Sequence, residues 1–107
     1  MKAPNKRSKY LFNIVWSKIY LGLSINEIHK EKFNIPLTTL YFWPREDGWK
    51  LLKAELDSKP WLTEKPKLEI LNSYSLIINY WLKNKDKNIN IQNSQILNLN
   101  INILSIN

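Results

Sequence analysis

Apolar and polar residues alternate near the start of the chain, and this pattern predicts a strand. From Tyr10 to Ser17, one side carries the side chains of Tyr10, Phe12, Ile14 and Trp16. A period of two with aromatic and branched residues is typical of a strand that buries one face. We therefore expect residues 10–17 to form a strand whose aromatic side faces the core.

A short helix is predicted next, over Tyr20 to His29. Leu21, Ile25 and Ile28 recur at spacings of four and three, which places them on one face of a helix. Gly22 lowers the helical propensity by about 1 kcal/mol relative to alanine. The apolar spacing nevertheless favours a helix in this segment.

Two further segments precede the middle of the chain. Glu31 to Ile35 is polar and is interpreted as a connection that ends at Pro36. Leu37 to Trp43 is an apolar run, which we expect to pair with the first strand. The sheet predicted from these patterns therefore has two strands.

The tryptophan-rich middle of the chain predicts the first long helix. Pro44 suits the first turn of a helix, because its fixed φ fits there and its missing N–H would have no partner. Trp49, Leu52 and Leu56 recur at helical spacing and should face the core. The helix should end near Ser58, since the next residue precedes a proline and is disfavoured in the helical region.

A second long helix is predicted from Glu64 to Lys83, with Thr63 as its cap. Its apolar face carries Leu71, Tyr74, Ile78 and Trp81, with Ile70 and Ile77 beside them. Because only residues 59–62 join the two helices, they should pack as an antiparallel hairpin. Trp49 and Leu56 would then lie against the second helix at the centre of the core.

The composition changes toward the C-terminus. Residues 88–107 contain seven asparagines and six isoleucines, with strict alternation from Asn98 to Ile103. Alternation is typical of a strand, whereas asparagine-rich, low-complexity sequence is equally typical of disorder. Both interpretations stand on the sequence. We divide the chain into an arm (1–9), one globular domain (10–83) and a low-complexity tail (84–107).

Together these patterns predict an α+β fold. A small two-stranded element packs against a helical hairpin and a short helix, and the N- and C-terminal tails are extended. The length of 107 residues is typical of one domain.

Charge narrows the class of partner. The formal net charge is +7, and residues 1–9 carry four positive charges and no negative ones. Residues 44–66, in contrast, carry five charges of each sign. A basic arm beside a neutral aromatic core favours a polyanionic partner, most often nucleic acid, with an anionic membrane surface as the weaker choice. The alternative is that the arm is a solvated tail without a partner.

Catalytic and cofactor chemistry find little support in the sequence. His29 is the only histidine, and the chain has no cysteine and only two glycines, which disfavours a metal site and a glycine-rich phosphate loop. Glu46 and Asp47 are interpreted as charges beside a helix N-terminus rather than as an acid/base pair. No apolar run reaches the length of a membrane span. We therefore expect no enzyme activity, cofactor, metal, membrane partner or small-molecule substrate.

Four tryptophans leave two interpretations open. Trp49 and Trp81 lie at helical spacing, where a core position is expected. Trp43 and Trp61 lie at turns, where stacking on a nucleic-acid base competes with burial. The core is the preferred interpretation for all four.

An ordered series of aromatic, proline and charged residues runs from about Pro36 to Trp81. Its parts are Phe42 to Asp47, Trp49, Lys53 to Leu56, Ser58 to Trp61, Glu69, Leu71-Asn72 and Ile78 to Trp81. This series resembles the family of plastid-specific ribosomal protein three. That family also includes a hypothetical reading frame of some plastid genomes and of cyanobacteria.

The resemblance implies a structural component of the small subunit of the plastid (chloroplast) ribosome. Such a protein binds ribosomal RNA and neighbouring small-subunit ribosomal proteins. Basic residues would then neutralise RNA phosphates, and the candidates are Lys2, Lys6, Arg7, Lys9, Arg45 and Lys59. Residues 1–9 are too short for a typical transit peptide, so we expect a plastid-encoded protein that works in the stroma.

An alternative function comes from a different class of protein. The two long helices and their short connection could form a helix-turn-helix-like DNA-binding or regulatory module. Its second helix would present Lys65, Lys67 and Lys83 toward a groove. The same helix also carries Glu64 and Glu69, which makes it a poor surface for contacting DNA.

Overall fold

The computed structural model describes residues 10–29, 33–44, 47–86 and 99–106. Within these residues, five strands form one sheet and two helices pack against it. The elements are β1 (Tyr10–Trp16), β2 (Leu21–His29), β3 (Phe33–Pro36), β4 (Tyr41–Trp43), α1 (Gly48–Asp57), α2 (Glu64–Asn84) and β5 (Asn100–Ile106). The class is mixed α and β, as expected, but the predicted two-stranded element is wrong because the sheet has five strands.

Strand β1 is confirmed and lies inside the sheet. Its alternate side chains Tyr10, Phe12, Ile14 and Trp16 are each no more than 7% exposed. It pairs antiparallel with β2 on one edge and parallel with β5 on the other. A tight turn leads from β1 to β2, closed by a hydrogen bond of 3.1 Å from the Ser17 N–H to the Tyr20 carbonyl.

The helix predicted over Tyr20 to His29 is wrong, because Leu21–His29 is strand β2. Leu21, Leu23 and Ile25 alternate and are each at most 1% exposed. In the predicted helix, Leu23 would lie away from the apolar face, whereas in the strand it is buried. In the hairpin, seven residues of β2 pair with seven residues of β1 in one antiparallel register. This backbone pairing outweighs the local helical pattern.

Strands β3 and β4 both pair with β2. Phe33–Pro36 forms β3, so the predicted polar connection is wrong for residues 33–35, and residues 30–32 lie outside the described part. The apolar run ends in β4, which pairs with β2 and not with β1 as expected. Because β5 occupies the other edge of β1, β4 pairs with β2 instead, on the same edge of β2 as β3.

Gly22 in β2 allows β4 to approach closely. A Cβ at Gly22 would come within 2.9 Å of Cε1 of Phe42, the residue opposite it in the register. The Phe42 ring also meets Tyr20 edge to face, with centroids 5.5 Å apart. The glycine that counted against a helix is therefore required by the packing of an aromatic ring on the sheet.

Strand β5 confirms the strand interpretation for residues 100–106. Ile101 and Ile103 lie partly buried against the core, and the intervening asparagines point to the other face of the sheet. There, the Asn102 side-chain amide donates to Asn13 Oδ1 at 3.0 Å, and the Asn13 amide donates to Ser24 Oγ at 3.2 Å. This chain of hydrogen bonds crosses three strands. The alternation therefore places isoleucine against the core and asparagine where its side chain can form hydrogen bonds on the opposite face of the sheet.

Helix α1 begins at Gly48, four residues after the predicted start at Pro44. Asp47 caps it, with Oδ1 accepting a hydrogen bond of 3.1 Å from the Lys50 N–H. Pro44 instead lies in a turn after β4. The helix ends at Asp57 with Ser58 as its C-cap, and this end is confirmed.

Helix α2 is confirmed at Glu64–Asn84. Thr63 occupies the N-cap position, but its side chain makes no capping hydrogen bond. The buried face of the helix consists of Ile70, Leu71, Tyr74, Ile77, Ile78 and Trp81. The indole N–H of Trp81 donates to the Ser17 carbonyl at 2.7 Å, which ties this helix to the turn between β1 and β2.

The centre of the core differs from the one predicted. The two helices contact each other, as expected, and Leu56 is buried in the core with Leu71 and Tyr74. Trp49, however, is only partly buried at the edge of the core. The core lies between the aromatic face of β1 and β2 and the apolar face of α2, because the sheet supplies a larger apolar surface than α1.

Candidate interaction site at the helical turn

The predicted RNA-binding residues fall mostly outside the described part of the chain. Lys2, Lys6, Arg7, Lys9 and Arg45 all lie there. Lys59 is described, and it lies in the helical turn, by which we mean residues 58–63 between α1 and α2.

Lys59 contacts groups on both sides of it. Its side chain is 16% exposed, and its ammonium nitrogen lies 3.7 Å from Oε2 of Glu55. The same nitrogen lies 5.6 Å from the ring centroid of Trp61. An ammonium placed between a carboxylate and an aromatic face has part of its charge satisfied within the protein. Lys59 therefore connects α1 to Trp61 and is less available to a phosphate than an exposed lysine.

Glu55 joins this turn to the sheet. Its Oε1 accepts a hydrogen bond of 2.5 Å from the Tyr41 hydroxyl and one of 3.3 Å from the Thr39 N–H. Its other oxygen faces Lys59. One carboxylate therefore contacts Tyr41 in β4, Thr39 in the segment before β4 and Lys59 in the helical turn. The sequence analysis did not single out Glu55, because its partners lie 14 and 16 residues away along the chain.

Trp61 is 65% exposed, so the preferred core interpretation is wrong for this residue. Trp81 is 2% exposed, as expected, while Trp43 and Trp49 are partly buried against the core. Trp61 follows a proline in a turn, and this was the sequence feature that kept an exposed position open as the alternative.

Residues on either side hold Trp61 in place. The Leu62 N–H donates to the Lys59 carbonyl at 3.1 Å, and the Lys59 N–H donates to the Leu56 carbonyl at 3.1 Å. The Leu62 side chain is 7% exposed and belongs to the core. The turn is therefore fixed to the body of the protein while it presents the Trp61 indole to solvent.

Asp57 links the two helices below this turn. Its carboxylate accepts hydrogen bonds of 2.9 Å from Lys53 and 3.2 Å from Lys67. These two hydrogen bonds lower the pKa of Asp57 below its ordinary value, and the bond to Asp57 raises the pKa of Lys53. The ion pairs are partly exposed; the pair with Lys53 lies within α1, and the pair with Lys67 joins the end of α1 to the first turn of α2.

Four exposed lysines lie outside the ion pairs formed within the described residues. They are Lys18, Lys50, Lys65 and Lys83. Lys18 belongs to the turn after β1, Lys50 to the start of α1, and the other two to opposite ends of α2. The predicted helix-turn-helix surface would need the α2 lysines on one face, but Lys67 is engaged by Asp57.

The described residues contain no cluster of histidine, cysteine, aspartate and glutamate that could hold a metal ion. Neither α1 nor α2, the two helices described, is long and apolar enough to cross a membrane.

Comparison with known proteins identifies the family. The model of the plastid and cyanobacterial ribosomal protein family (PSRP-3 / Ycf65) matches residues 37–84, from the segment before β4 to the end of α2. This range includes Glu55 and the helical turn. The chain belongs to this family.

Several curated relatives are similar over most of the chain. Small ribosomal subunit protein cS23 of Gracilaria tenuistipitata var. liui is 39% identical over 89 residues, covering 82% of this chain and 87% of the relative. Probable small ribosomal subunit protein cS23 of Synechococcus sp. (strain JA-2-3B'a(2-13)) is 38% identical, with 81% and 86% covered. Small ribosomal subunit protein cS23z of Arabidopsis thaliana is 36% identical, and the match covers 73% of this chain but 47% of that relative. The comparisons do not support the helix-turn-helix alternative.

Proposed function

We propose that this chain is a structural component of the small subunit of the plastid ribosome. The observation that carries the proposal is family membership: relatives named as small ribosomal subunit proteins match more than 80% of the chain. The proposed role is structural and not catalytic. The chain binds ribosomal RNA and neighbouring small-subunit proteins, and it works in the chloroplast stroma as part of the ribosome.

The physical mechanism divides the chain into two parts. The sheet and helices form a body held by a continuous apolar core, which supplies a surface of fixed shape. The arm of residues 1–9 and Arg45 supply positive charge, which binds RNA by releasing the counterions of its phosphates. Lys59 contributes through its contacts with Glu55 and Trp61 and so positions the helical turn.

Sedimentation of ribosomal subunits tests this function. A tagged copy of the chain is expressed in plastids, and ribosomes are washed in high salt before the subunits are separated. We expect the chain to remain with the small subunit at one copy per particle. An unrelated small protein of similar net charge is the control and should be removed by the wash. Recovery of the chain in the free fraction contradicts the proposal.

Deletion of residues 1–9 tests the electrostatic part of the mechanism. Each cation that contacts a phosphate adds about 0.7 to 0.9 to the magnitude of the slope of log affinity against log salt, so losing all four contacts should lower that magnitude by about 3 to 3.6. Binding to a small-subunit RNA fragment is measured at several salt concentrations. The melting temperature of the truncated chain is the control for folding. An unchanged slope would identify the arm as a solvated tail.

A further inference from the structure

Trp61 differs from the other described tryptophans in having most of its surface in contact with solvent. It is 65% exposed, whereas Trp16 and Trp81 are at most 5% exposed and Trp43 and Trp49 pack against the core. Tryptophan is highly buried on average, because burying its ring is so favourable, and the exposed ring of Trp61 departs from that average. Tryptophan is also the residue type most enriched among the energetic centres of protein interfaces.

The helical turn holds Trp61 in a defined position before any partner binds. Lys59 lies over its ring, Glu55 holds Lys59, and Tyr41 and Thr39 hold Glu55. Leu62, the next residue, is anchored in the core. A side chain that is already ordered loses less conformational entropy on binding, and this preorganisation favours affinity.

The charge around Trp61 distinguishes a protein partner from RNA. From residue 57 to residue 65 the chain carries two carboxylates, Asp57 and Glu64, and two lysines, Lys59 and Lys65. Lys59 and Asp57 are engaged in ion pairs. A base-stacking site on RNA lies in a positively charged groove that follows the phosphates, whereas a protein interface surrounds its apolar core with a polar rim that needs no net positive charge. The neutral turn fits a protein.

We propose that Trp61 is the anchor of a protein–protein contact, inserting into an apolar pocket on a neighbouring protein of the small subunit. The proposal rests on the function proposed above and names one surface of it. Lys59 and Glu55 act as positioning residues for this anchor. The basic arm supplies the RNA contact, and the helical turn supplies the contact with protein.

Competition for small subunits measures the contribution of Trp61. Full-length wild-type chain and the Trp61→Ala variant, differently labelled, compete for small subunits that lack the chain. We expect the variant to bind at least about tenfold more weakly, the effect typical of an anchor residue. Ile19→Ala is the matched control, because Ile19 is 77% exposed in a different turn and should bind like wild type. Equal binding of wild type and Trp61→Ala overturns the inference.

Two measurements identify the partner class. With p-benzoylphenylalanine in place of Trp61, photolysis on the intact subunit should cross-link the chain to a ribosomal protein. Binding of Trp61→Ala to protein-free small-subunit RNA should equal that of wild type. A cross-link to RNA, no cross-link at all, or weakened binding to naked RNA each overturns the inference. If wild type itself fails to join the small subunit, the proposed function also fails, and this outcome is distinct from a failure of Trp61 alone.

Discussion

Tryptophan has opposite environments in two regions of the molecule, the C-terminal end of α2 and the helical turn that joins α1 to α2. Trp81 is 2% exposed, and its indole N–H donates to the Ser17 carbonyl at 2.7 Å. Trp61 is 65% exposed and contacts a lysine that is itself held by Glu55. In the first region the ring stabilises the fold, and in the second the fold positions the ring. Residue type alone therefore does not separate a buried tryptophan from an exposed one.

Trp81→Ala should have the largest effect on stability. Truncating a buried tryptophan costs about 3–5 kcal/mol, and the Ser17 carbonyl would lose its hydrogen-bond donor as well. Denaturant unfolding followed by circular dichroism measures the change in the free energy of unfolding. Trp61→Ala is the control from the other region and should change it by less than about 0.5 kcal/mol, as is usual for surface substitutions. Similar losses for the two variants would contradict the different roles of Trp81 and Trp61.

Gly48→Ala should destabilise the protein by about 1–3 kcal/mol, the range for overpacking a filled site. A Cβ at Gly48 would collide with the hydroxyl oxygen of Tyr74 on α2, and that side chain is fully buried. The same substitution in a Tyr74→Phe background removes the colliding atom. The cost of Gly48→Ala should therefore fall in that background, which a double-mutant cycle measures. Strict additivity would show that the two residues do not meet.

Asp57→Asn should have the smallest effect and one that depends on pH. The pKa of Asp57 is lower in the folded state than in the unfolded chain, so its contribution is present above the unfolded pKa and is lost as pH falls through the folded pKa. The difference in melting temperature between wild type and Asp57→Asn should be small at neutral pH and disappear in acid. Because the carboxylate of Asp57 is 46% exposed, high salt should reduce the difference too. A difference that grows in acid contradicts this account.

The sequence predicted the elements that local periodicity governs. Strand β1, the end of α1 at Ser58 and nearly all of α2 follow from spacing and proline chemistry, and the structure confirms them. It did not predict β2. There, Leu21, Ile25 and Ile28 have the spacing of a helix, whereas the alternation of buried residues in the strand includes Leu23. It also placed the start of α1 at Pro44, since the capping side chain of Asp47 was interpreted only as a charge near the helix.

The candidate site was predicted in part. Lys59 was predicted to bind RNA, and this stays a prediction, whereas Trp61 was expected in the core and Glu55 was not singled out. The hydrogen bonds of Glu55 reach Thr39 and Tyr41, and such contacts have no signal in local spacing. The exposure of Trp61 depends on where Leu62 and the two helices are anchored.

By itself, the sequence determined the charge of the arm, the helical face of α2, the aromatic face of β1 and the family resemblance later confirmed by comparison. Only the tertiary structure decided that Leu21–His29 is a strand, that residues 100–106 join β1, and that Trp61 faces solvent. The physical reason is the range of the interactions. Periodicity and capping act within a few residues, whereas strand pairing and burial depend on partners far away along the chain.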